Sequence, residues 1–149
     1  MKVRCHKILS DFPPRRDLGS KTNSLTVGGE YIVLAVYSNN KNAILYHIET
    51  DSGDLVIFHA DQFEVISKYI PSNWEVRIEA DLTKPHYIEL SPKNWNQDSF
   101  SFYEEIIEVS WPLYEWRKCE KIPEVISLYF KERDLIYREE SEYEKREKI

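Results

Sequence analysis

A chain of 149 residues, 42% hydrophobic and 13% aromatic, is long enough to bury its own core without disulfide or metal staples, and too apolar for a disordered polypeptide. Its net charge of −6 argues against a nucleic-acid-binding surface, because phosphate recognition requires clustered Lys and Arg. Two cysteines, Cys5 and Cys119, fit a reducing compartment; the N-terminal stretch lacks the apolar h-region of a signal peptide, and no run reaches the ~18 apolar residues of a membrane span, so a cytoplasmic protein is expected.

In chain order, a first strand falls at Val3-Arg4-Cys5. Ser10 to Ser24 follows as a long polar loop, its Pro13-Pro14 pair forcing extended backbone. Gly28 and Gly29 then offer the φ > 0 freedom needed for a sharp turn into Tyr31 to Tyr37, a run of β-branched and aromatic residues that reads as a second strand. Ser38 to Asn42 makes a hairpin tip, Ala43 to Thr50 a third strand, Asp51-Ser52-Gly53-Asp54 a tight turn, and Leu55 to Phe58 a fourth strand. His59 to Gln62 is one short turn before a closing strand, Phe63 to Ile66.

Beyond these strands, Trp74 to Ala80 alternates, Asp81 to Pro85 turns and His86 to Leu90 returns, which spells a hairpin. Ser99 caps an expected helix with an apolar stripe of Phe102, Tyr103, Ile106 and Ile107, and with Glu104, Glu105 and Glu108 on its other side; Pro112 interrupts it. A longer helix is expected from near Ile122. Pro123 suits its first position, and Val125, Leu128, Tyr129, Leu135 and Ile136 share the face that packs on the sheet. From Arg138 onward, REESEYEKREKI alternates in sign and reads as a solvated tail, helical or frayed.

The order Val3-Arg4-Cys5, long polar loop, LTVGGEY, YHIETDSGD and the Phe63-Glu64 pair resembles the small SH3-like barrels of bacterial and phage proteins, over residues 1–67. This resemblance implies a binding loop at Ser10 to Ser24. Further on, Ile70-Pro71-Ser72-Asn73-Trp74-Glu75-Val76, a second hairpin, then Ile88 to Trp95 and an acidic aromatic helix resemble immunity partners of contact-dependent and polymorphic bacterial toxins.

Charge is segregated along the chain. Residues 1–71 carry eight Lys/Arg against eight Asp/Glu, residues 72–116 three against nine, and residues 117–149 nine of each, so the whole excess lies in the middle third. That third also holds all four tryptophans, Trp74, Trp95, Trp111 and Trp116. Large amphipathic rings beside carboxylates suit a desolvated interface with an acidic rim, and the natural complement is a basic protein. The candidate partner-binding residues are therefore Asp98, Glu104, Glu105, Glu108, Trp111, Tyr114, Glu115 and Trp116.

Catalytic patterns are sparse. His6, His47, His59 and His86 lack the i, i+4 spacing of a zinc-peptidase helix, and no cysteine pair has metal-ligand spacing. There is no glycine-rich phosphate loop and no nucleophile elbow. Asp51 and Asp54 need nothing beyond a turn to account for them. The expected protein is thus α+β: an SH3-like five-stranded β-barrel over residues 1–68, then a β-hairpin and two helices over residues 69–149 in one compact unit. Its expected role is that of an immunity protein, without catalytic activity, cofactor or metal, that occludes the active site of a toxin domain such as a basic nuclease, as a monomer in a one-to-one complex. Two alternatives stay open: an SH3-like adaptor that binds through Ser10 to Ser24, and a hydrolase with its site near His47, His59 and Asp61.

Overall fold

The computed structural model describes residues 1–8, 25–39, 43–51, 53, 55–79, 83, 87–93 and 123–148. The described strands are β1 (Lys2–Cys5), β2 (Glu30–Asn39), β3 (Ile44–Glu49), β4 (Leu55–His59), β5 (Phe63–Ser67), β6 (Trp74–Glu79) and β7 (Tyr87–Pro92), with a 3₁₀ turn at Ala60–Gln62 and one α-helix, α1 (Pro123–Glu147). Every ladder is antiparallel. The strands run β4-β3-β2-β1-β5, with β7 also paired to β2 and β6 paired to β7.

β1 shows how alternation sets the faces. Val3 and Cys5 are sealed at 0% and 1% exposure, while Arg4 faces solvent between its cross-strand partners Glu30 and Glu64, at 3.9 and 3.7 Å. Opposite charges set directly across a ladder favour this register, although pairs this exposed add little stability.

The glycines ahead of β2 divide the work between them. Gly28 adopts φ +87, where a side chain is strained. Gly29 is needed for space instead: a Cβ there would lie 2.9 Å from the Thr26 carbonyl oxygen and 2.9 Å from the Tyr31 hydroxyl. That hydroxyl accepts from the Thr26 amide at 2.8 Å and donates to Asp51 at 2.9 Å, stitching the turn to the end of β3. Gly28→Ala is expected to cost about 1 kcal/mol and Gly29→Ala about 2 kcal/mol, because the second must displace backbone. Urea denaturation of the two variants checks the order.

A bulge between Val33 and Ala35 lets β2 serve several partners. Glu30 to Ile32 pair with β1, Val33 to Ser38 with β3, and Val36 to Asn39 with β7 on the edge away from β3. Both faces of its centre are covered, so Val33, Leu34 and Ala35 are all fully buried.

Two expectations about architecture need correction. The five-stranded barrel does not close, because among the described residues β4 pairs only with β3 and β5 only with β1. The 3₁₀ turn carries the chain across the core instead of back alongside β4, and Phe63 meets Tyr46 and Phe58 by ring packing, with centroids 6.0 Å apart in each case, not by a ladder. The second hairpin joins the same sheet, β7 pairing with β2 directly, and the described strands make one seven-stranded sheet. Finally, α1 is the single α-helix among the described residues; the helix expected to start at Ser99 lies outside them.

α1 packs on the sheet face that carries Glu49. Tyr129 and Ile136 are fully buried. The Glu49 carboxylate accepts from the Tyr129 hydroxyl, from Arg133 Nη1 at 3.1 Å and from the Tyr137 hydroxyl at 3.1 Å. Burial, reinforced by the Glu49 charge, pushes the Tyr137 phenol well above its usual range. The stretch read as a solvated tail is instead docked over its first half. Burial favours a neutral Glu139, but hydrogen bonds from Ser72 and the Tyr69 hydroxyl outweigh it and hold the carboxyl below the usual range. Glu140, 1% exposed, takes the Met1 ammonium at 2.7 Å, and Tyr143 stacks on Tyr69 with centroids 5.0 Å apart.

Candidate partner-binding face

Residues directly opposite in an antiparallel ladder point to the same side of the sheet. The register therefore builds two adjacent rows: Val76, Leu90 and Val36 across β6, β7 and β2, then Ile78, Ile88, Ser38 and Ile44 across β6, β7, β2 and β3. Val76 is 60% exposed, Ile78 67%, Ile88 51% and Ile44 49%; Val36 and Leu90 are half-buried against the core.

The other side of the same hairpin is polar and yet covered. Arg77 forms an ion pair with its cross-strand partner Glu89 and donates to Ser91 Oγ at 3.0 Å. Glu89 and Arg77 are half-buried, and Ser91 is 0% exposed. The aliphatic side of the hairpin is thus core at Trp74 and Leu90 and open to water at Val76, Ile78 and Ile88, while its charged side is half-buried. An isolated exposed aliphatic residue requires no special cause, but a contiguous set on neighbouring strands marks a contact surface.

The eight residues proposed from sequence, Asp98, Glu104, Glu105, Glu108, Trp111, Tyr114, Glu115 and Trp116, lie outside the described residues, as do Trp95 and the Ser10 to Ser24 loop. Their span follows the β6–β7 hairpin directly in the chain, β7 ending at Pro92. Trp74 is described and is core, 7% exposed. The aliphatic rows were missed because alternation in WEVRIE and YIEL reveals an apolar side without revealing which way it faces.

The hydrolase alternative finds little geometry. His47 and His59 share a sheet face, since their partners Ile57 and Leu45 do. His47, however, is 7% exposed, its Nδ1 has no hydrogen-bond partner among the described residues, and burial lowers its pKa to about 4. Asp61 is exposed, and its backbone oxygen bonds the His6 ring at 2.8 Å. A cleft between β5 and the end of α1 is lined by Lys2, Lys68 and Lys148 against Glu30, Glu144 and Glu147, so it offers no field of one sign. Among the described residues no cluster of three His, Cys, Asp or Glu is placed to hold a metal, and no helix is long and apolar enough to cross a membrane.

Comparison of the chain with known protein families, with curated proteins and with solved structures finds no match in any of the three.

Proposed function

We propose that this chain is an immunity-type inhibitor that binds a cognate toxin domain, one toxin per copy, and occludes its active site. The observation that supports a binding role is the row of exposed aliphatic side chains, Val76, Ile78 and Ile88 on the β6–β7 hairpin and Ile44 on β3, on one side of the sheet. Beside it in the chain runs the span from Asp98 to Trp116, where carboxylates and indoles gather. Together they would supply an apolar centre and an acidic rim, the division that stable interfaces use. The fitting partner is a basic nuclease domain. Carboxylates stand in for the phosphates that such a toxin binds, and long-range attraction speeds encounter.

The test is capture of the toxin domain encoded beside this chain's gene, followed by two variants. Ile44→Ser with Ile88→Ser is expected to weaken binding roughly 100-fold, about 1.4 kcal/mol per side chain, chiefly by faster dissociation. Glu104→Lys with Glu105→Lys is expected to slow association mainly at low salt. Failure to bind any adjacent toxin domain would defeat the immunity role; unchanged affinity in the isoleucine pair would remove this face from it.

A further inference from the structure

We draw no further inference here: the strongest candidate, the apolar patch of Val76, Ile78 and Ile88 on the β6–β7 hairpin with Ile44 on β3, belongs to the face already described, and nothing among the described residues shows what covers it.

Discussion

Replacing Glu49 with alanine is expected to destabilise the protein by about 3 kcal/mol and to loosen α1 from the sheet before the sheet itself opens. Glu49 is the common acceptor for three side chains that reach down from α1: Tyr129, Arg133 and Tyr137. Removing it takes that acceptor from a guanidinium and two phenols at once, and Tyr129 is fully buried. Breaking one side of a buried ion pair costs roughly 3 to 5 kcal/mol. The lower end applies because Arg133 keeps 20% exposure, bonds Asp134 at 2.9 Å and packs over the Phe130 ring at 4.4 Å, contacts that survive the substitution. Glu49→Gln, which retains shape and one acceptor oxygen, should lose about half as much. Denaturant titration gives the stability, and amide hydrogen exchange locates it, with protection falling between Tyr129 and Tyr137 more than in β1 and β5. A loss below about 1 kcal/mol in Glu49→Ala would mean that aliphatic packing alone holds the helix.

Acid should weaken the fold through His47. Burial lowers its pKa from 6.5 to about 4, so the folded protein keeps the ring neutral where the unfolded chain already binds a proton. Because the folded value is the depressed one, this contribution to stability is complete above about pH 6.5, declines as pH falls, and is spent near pH 4. The slope approaches 1.36 kcal/mol per pH unit, giving about 2 kcal/mol lost between pH 6.5 and 5 and about 3 kcal/mol by pH 4. Carboxylates titrate in the lower part of that window in any variant, so the informative quantity is a difference. His47→Leu, which removes a buried ring nitrogen lacking a partner, should match the native chain within about 1 kcal/mol at pH 7.5 and lack the steep decline between pH 6.5 and 5. Parallel pH profiles for the two proteins would show that the imidazole is not the group responsible.

The strands were legible from sequence because their causes are local. Alternation in KVRC and WEVRIE, the Gly28 turn and the Asp51 to Gly53 turn each act within a few residues, and β1 to β7 fall where those patterns place them. Closure of the sheet was not legible, since it depends on whether β4 and β5 come alongside each other, which no nearby residue dictates. The acidic second half of α1 misled for a similar reason. REESEYEKREKI looks solvated until Tyr69, Ser72 and Met1 supply partners from roughly seventy or more positions away. Glu140 is consequently buried on Met1, and Glu132, earlier in the helix, is likewise buried on Asn73. At the candidate site, composition drew attention to residues 98–116, whereas the aliphatic rows emerge only from the pairing of four strands, β2 and β7 about fifty residues apart.

The changeover along β2 has a consequence for how the molecule comes apart. One strand is the hydrogen-bonding partner of β1, β3 and β7, so neither the N-terminal ladders nor the β6–β7 hairpin owns a complete framework without it. Damage at Leu34 or Ala35 would be felt at both ends of the sheet together, and an unfolding sheet would surrender its ladders in a single step, with no surviving half to act as a scaffold for return.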